Sequence, residues 1–142
     1  MKNNSFAKCG LLLALFVVSA CGKPEEKIVC EVAKSFSEAY YNMNIRKAKE
    51  FCCQDLHTIM DFRRHNLTKR DLAYRDSAGK ASIRIVDCVF NSDDDVSYVN
   101  VEVSNFIRIN YMNDSLSVVP CDTMELTLTK ELDDVWRIKS LL

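Results

Sequence analysis

Beyond residue 27, apolar residues recur first at three- and four-residue steps, then at two-residue steps. Over residues 28–42, Val29, Val32, Ala33, Phe36, Ala39 and Tyr40 fall on one helical stripe that continues to Met43. Glu31, Lys34, Ser35 and Glu38 fall opposite. That spacing predicts an amphipathic helix with one buried face. Asn42 and Asn44 mark its end and the cap of a second helix carrying Ile45, Ala48 and Cys52. A third helix starts near Asp55, with Leu56, Ile59, Met60 and Phe62 as its apolar positions. Thr68 and Asp71 have capping-box spacing for a short helix carrying Leu72. Residues 76–79 break the pattern.

From residue 81 the period falls to two and β-branched residues become frequent, predicting strands over 81–90, 97–109, 116–130 and 135–141. Val99, Val101 and Val103 point one way, while Asn100, Glu102 and Ser104 point the other. Met124, Leu126 and Leu128 keep the same alternation, and Trp136 and Ile138 are expected to face the core. Polar turns at 91–95, 110–115 and 133–134 separate the strands. Helices first and hairpin-linked strands afterwards imply an α+β fold, with the helices packed on one face of an antiparallel sheet of about four strands.

The first 20 residues change the picture of where this domain works. Lys2 and Lys8 precede an uninterrupted apolar run over 11–18, and Ser19 and Ala20 are small. This is the layout of a secretory signal peptide, too short for a permanent span of about 20 apolar residues. Val18, Ser19, Ala20 and Cys21 resemble the lipobox of bacterial lipoproteins, which implies cleavage before Cys21 and lipid on its thiol. Two or three acyl chains hold a protein on a membrane durably, where one does so marginally. By the same resemblance, Gly22 disfavours retention in the inner membrane, and residues 23–26 are similar to the export signal of surface lipoproteins of Bacteroidetes. The expected organisation is a signal peptide at 1–20, a lipidated cysteine and tether at 21–27 reaching about 20 Å, and one domain at 28–142. The expected location is the outer membrane of a Gram-negative bacterium, facing the periplasm or the surface.

Cleavage after residue 20 leaves about 120 residues, suited to a single core. Lys2 and Lys8 leave with the signal, so the net charge of −1 becomes −3. With no basic block, there is no electrostatic footprint for nucleic acid. Arg63, Arg64, Lys69 and Arg70 interleave with Asp61 and Asp71 and read as a solvated helical face. Cysteine usage suits an oxidising compartment. Besides Cys21 the domain keeps Cys30, Cys52, Cys53, Cys88 and Cys121, an odd number that leaves at least one thiol unpaired or intermolecular. Sequence alone leaves the pairing open. The preferred arrangement ties Cys52 or Cys53 to Cys88 or Cys121. The spacings lack the short paired intervals of a zinc site.

Several segments resemble the nuclear-transport-factor-2-like, or cystatin-like, superfamily, and in particular lipoprotein domains of unknown function from Bacteroidetes. They are the opening helix at 32–36, the segments 39–44 and 48–52, and the final hairpin of 126–130 with 135–138. Asp133 and Asp134 stand where relatives usually carry a turn glycine. The resemblance implies a curved sheet closing with the helices into a cone, whose open end holds a ligand pocket in some members. Some members are isomerases, dehydratases or hydrolases, and many have no catalysis, so the fold supplies no activity by itself.

Proton-transfer members place an Asp or His inside the cone. The candidates here are Asp87, His57 and Asp55, with Glu102 and the phenols of Tyr40 and Tyr41 behind them. Asp87 shares a predicted face with Ile83, Ile85 and Val89, where an unpaired carboxylate would be desolvated and its basicity raised. The plainer reading makes it an edge carboxylate paired with Arg84 or a neighbouring strand. For His57 the plainer reading is a partly exposed surface residue. Asp93, Asp94 and Asp95 lack the loop pattern of a calcium site, no serine sits in a nucleophile elbow, and three scattered glycines make no phosphate loop. No cofactor or metal is expected.

Phe106, Ile107, Ile109, Tyr111 and Met112 form an apolar stretch in which both sides of the strand turn apolar, as they also do over 86–90. Double-sided burial suggests helices on one side and an envelope protein, a small apolar ligand or a second copy on the other. Ordinary sheet packing is the plainer alternative. The expected function is therefore a membrane-anchored, non-enzymatic binding or interaction domain of the cell envelope. The alternatives are a small-molecule isomerase or hydrolase using an acid–base residue in the cone, and an immunity-type or assembly-subunit lipoprotein.

Overall fold

The computed structural model describes residues 24–91 and 93–141. Residues 1–20, expected to be a signal peptide, and Cys21 lie outside the described residues. Helix α1 (Pro24–Tyr41) starts earlier than its apolar stripe indicates. Pro24 suits a first helical turn, where its missing N–H has no intrahelical partner to lose, and Glu25 and Glu26 complement the positive helix end. Glu25 also pairs with Lys130 at 2.8 Å. The helix closes when Met43 takes φ 61° and the Asn44 N–H donates to the Ala39 carbonyl at 2.8 Å.

Helix α2 (Ile45–Lys49) is capped by Asn44 Oδ1, which accepts from Lys47 N–H at 3.3 Å. A 3₁₀ turn (Gln54–Leu56) leads into α3 (His57–Asn66). Helix α4 (Lys69–Ala78) opens with the capping box expected from its spacing. Thr68 Oγ1 accepts from Asp71 N–H at 3.2 Å, and Asp71 Oδ2 accepts from Thr68 N–H at 2.8 Å.

Strands β1 (Ser82–Asn91), β2 (Val96–Asn110), β3 (Ser115–Lys130) and β4 (Trp136–Leu141) form one antiparallel sheet in chain order. Asp134 takes φ 60° in the last turn, the conformation that glycine would otherwise fill. Beyond β4, Cys52 makes a parallel bridge to Ile138, and Cys53 N–H donates to the Ile138 carbonyl at 2.9 Å.

Two interruptions curve the sheet and change which residues face inward. The β1–β2 register shifts between Ile85 and Asp87, so Val86 is the extra residue of a bulge. Ile83 and Ile85 are half-buried before it, Cys88 and Phe90 after it, while Val86, Asp87 and Val89 are exposed. In β2, Asn105 takes φ 57° between the Ser104–Cys121 and Phe106–Val119 pairs. The buried series Val99, Val101 and Val103 gives way there to Phe106 and Ile107. The apparent double-sided apolar runs of the sequence are thus changes of phase.

The core lies between the inner face of the sheet and the helices. Val29, Ala33, Phe36 and Ala39 of α1 pack with Val99, Val101 and Val103 of β2, Leu126 and Leu128 of β3, and Trp136 and Ile138 of β4. Met60 of α3 is fully buried beside them. The cysteines differ from the preferred pairing. Cys52 and Cys53 are buried along β4, at the edge of the sheet opposite β1, whereas Cys88 lies half-buried on β1, against which α1 packs, and Cys121 is exposed. A bond from Cys52 or Cys53 to Cys88 would have to cross the sheet.

Candidate ligand site

The end of α1, the start of α2, one face of α3 and the outer half of β2 enclose a cavity of about 220 Å³. Tyr40, Tyr41 and Phe106 in its wall belong to an aromatic chain that starts at the buried Phe36. Phe36 stacks on Tyr40 at 5.3 Å, Tyr40 meets Tyr41 edge-on at 5.1 Å, and Tyr41 meets Phe106 at 5.1 Å. Such offset and edge contacts hold rings in fixed orientations. Met43, Ile45, Leu67, Ile107, Ile109 and Met124 complete the apolar lining.

Two guanidinium groups cap this chain. Arg63 of α3 lies 4.5 Å over the Tyr40 ring, and Arg108 of β2 lies 5.8 Å from the Phe106 centroid. Arg108 pairs with Asp122 at 3.0 Å. Arg63 has no carboxylate partner within salt-bridge distance among the described residues. The Tyr41 hydroxyl is pushed up to about 12, by burial first and then by the negative charge of Asp122, with Arg108 acting in the opposite sense. At neutral pH it is therefore a neutral hydrogen-bond donor. The lining residues include neither a carboxylate nor a histidine, so the site offers donors, aromatic faces and positive charge.

The acid–base candidates lie elsewhere. Asp55 is exposed in the 3₁₀ turn, and His57 is half-buried with Nε2 3.3 Å from the Cys52 carbonyl. Asp87 does not share the inner face with Ile83 and Ile85. The bulge at Val86 turns it outward opposite Asn100, where its Oδ1 accepts from the Cys88 N–H at 2.9 Å. Arg84 pairs with Glu102 instead, at 2.8 Å.

The predicted binding patch divides by depth. Phe106, Ile107 and Ile109 line the cavity, whereas Tyr111 and Met112 lie exposed at the β2–β3 tip. Tyr111 meets the exposed Phe62 at 6.5 Å, forming an apolar rim on the α3 side. Arg70 holds that tip against α4 through both oxygens of the Asp114 carboxylate, at 2.7 and 3.0 Å. Arg63 is the lining residue that the sequence reading missed by assigning it to a solvated face. Its spacing with Leu56, Met60 and Leu67 places it on the buried stripe of α3, a signal already present in the sequence.

A larger concavity, of about 790 Å³, lies between α1, α2, α4 and the start of β1. It is a broad groove, and several of its charges already have partners. Lys34 is 4.0 Å from Glu38, Arg75 is 2.6 Å from Asp76, and Arg75 Nη1 donates to the Asn42 carbonyl at 2.5 Å. The smaller cavity has the convergent chemistry of a ligand site.

No protein-family model matches the chain, and no curated protein matches it. Among solved structures it is similar to a ketosteroid isomerase-like protein from Erwinia carotovora atroseptica, with a TM-score of 0.57 and 10% identity over 83% of this chain and 94% of the other. Two further matches are a protein described as an NTF2-like transpeptidase from Campylobacter jejuni and an NTF2-like protein involved in plasmid conjugation. The first has a TM-score of 0.49 and 17% identity, covering 84% of this chain and 99% of the other. The second has a TM-score of 0.33 and 10% identity, covering 79% and 46%. The chain has the nuclear-transport-factor-2-like, ketosteroid isomerase-like fold: an α+β cone of helices on a curved antiparallel sheet. At these identities the likeness concerns the fold alone.

Proposed function

We propose that the chain is a lipid-anchored, non-enzymatic binding domain of the bacterial cell envelope, and that its cone takes a small ligand with an apolar or aromatic body and an anionic group. One observation carries this reading. The cavity joins the aromatic wall of Tyr40, Tyr41 and Phe106 to Arg63, while Asp55, His57 and Asp87 lie outside its lining. An arginine over a ring donates to a carboxylate in its own plane and keeps its stacking contact. The volume suits a ligand on the order of one substituted ring. An isomerase or hydrolase would need a proton acceptor at the reacting atom, and the phenol of Tyr41 stays protonated at neutral pH.

The test is a titration with benzoate, followed by backbone and side-chain NMR shifts. Binding in roughly the millimolar range is expected for so small a probe, with the largest shifts at Tyr40, Tyr41, Phe106 and Arg63. Arg63→Ala should weaken it about tenfold and leave the fold intact. Shifts confined to the groove beside α4, or equal binding by Arg63→Ala, would contradict the assignment. For the anchor, α1 opens at Pro24, so only residues 22 and 23 separate it from Cys21. A lipid on Cys21 would then hold the helix within roughly 10 Å of its attachment point, half the tether that the apolar periodicity alone suggests.

A further inference from the structure

Two thiols from separate elements meet along the β1 edge of the sheet. Cys30 stands one turn beyond Glu26 on α1, Cys88 stands on the inward phase of β1 just past the Val86 bulge, and α1 packs along this strand, so that the two thiols act on each other. Both residues are half-buried. The surrounding packing fixes their approach. Val29 and Ala33 lock α1 into the core on either side of Cys30, and Phe90 packs against Trp136 at 5.7 Å two residues beyond Cys88. The negative charge of Glu26, one turn before Cys30, also reaches the Cys88 thiol.

We propose that Cys30 and Cys88 form a disulfide that ties the N-terminal helix to the edge strand of the sheet. The oxidising compartment it needs rests on the envelope location proposed above. The oxidant is a disulfide donor, either a small disulfide or the disulfide of a thiol oxidoreductase. One thiolate of the pair attacks a donor sulfur and releases the donor's other sulfur as a thiolate. The second cysteine thiolate then displaces the donor's remaining half. Two cysteine thiols are oxidised, the donor disulfide is reduced to two thiols, and the two protons pass to the released sulfurs.

The Cys88 thiol is pushed up to about 12 by burial first, then by the neighbouring Cys30 thiol and by the charges of Glu26 and Asp87. It is almost wholly protonated at neutral pH, so exchange should be slow there and accelerate as the pH rises. The bond would close a loop of nearly 60 residues, the kind of cross-link that most restricts an unfolded chain. It would also keep a pull on the anchored end of the chain from peeling α1 off the sheet. Cys52 and Cys53, buried along β4, and the exposed Cys121 take no part.

The full chain, purified in detergent with reductant, is equilibrated with oxidised glutathione, alkylated, digested and mapped by mass spectrometry. A second sample is alkylated directly in membranes before extraction. A peptide linking Cys30 to Cys88 is expected in both, and the oxidised protein should melt about 10 °C above the reduced one. The Cys30→Ser/Cys88→Ser variant should melt at the same temperature with and without reductant. Full alkylation of both cysteines after glutathione treatment would overturn the pair, as would a link from either to another cysteine. A link formed with glutathione but missing in the membrane sample would leave the pair standing and contradict the oxidising location.

Discussion

At Ser97 a hydroxyl is fully buried on the inner face of β2 with no hydrogen-bond partner among the described residues. Its backbone faces Phe90 and Leu128 across the sheet, so the side chain was desolvated without compensation. Ser97→Ala should therefore raise stability by about 1 kcal/mol, read as a higher urea midpoint at unchanged slope; a loss of stability would mean that the hydroxyl has an unseen partner. Ser37 is the contrasting case, because its equally buried hydroxyl donates to the Ala33 carbonyl at 2.8 Å within α1. Arg63 also owes its importance to neighbours, since the Tyr40 ring lies beneath it and, among the described residues, no carboxylate pairs with it, which leaves its donors available to a ligand. Tyr41, one position along α1 from that ring, adds a neutral donor on the same wall.

Between elements, two asparagines position the segment from α4 to β1. Asn42 Oδ1 accepts from the Ala81 N–H at 2.9 Å and its Nδ2 donates to the Ala81 carbonyl at 3.3 Å, while Asn105 Nδ2 donates to the Ala78 carbonyl at 3.0 Å. Asn42→Ala should cost about 1–2 kcal/mol, measured by urea unfolding, with amide exchange rising first at residues 79–82. A cost near zero would show that the segment holds its place without the clamp. Most elements were legible in the chain: four strands and four helices stand within a few residues of the periodic runs, because those runs encode burial directly. The phase of β1 was not legible. Ile83, Ile85 and Val89 alternate as one face, and the bulge that breaks the alternation arises from pairing with β2. The same limit governs Asn105 in β2 and misplaced Asp87 as a core carboxylate. The meeting of Cys30 with Cys88 was equally hidden, since α1 reaches β1 only after the whole helical layer has folded back.

For the molecule as a whole, one buried and two half-buried groups make stability depend on alkaline pH. Burial, with smaller contributions from neighbouring groups, pushes Tyr41, Cys52 and Cys88 each up to about 12, from ordinary values of 10.0, 9.0 and 9.0. The unfolded chain releases these protons more readily, so the folded state binds more of them once the pH passes 9, and stability falls as the pH rises from 9 toward 12. Below pH 9 these groups have no such effect. Urea midpoints of the reduced protein across that window should decline steadily, and a flat profile would contradict the burial of these groups. The proposed anchor is tested by metabolic labelling with a clickable fatty acid. The wild-type chain should carry the label and remain with membranes after alkaline washing, whereas Cys21→Ala should lose both properties. The cone as a binding site is tested most directly by a crystal structure of the protein soaked in benzoate. The account predicts the ring against Tyr40, Tyr41 and Phe106, with the carboxylate within hydrogen-bond distance of Arg63. Benzoate ordered only in the groove beside α4, or an empty cone at saturating probe, would contradict it.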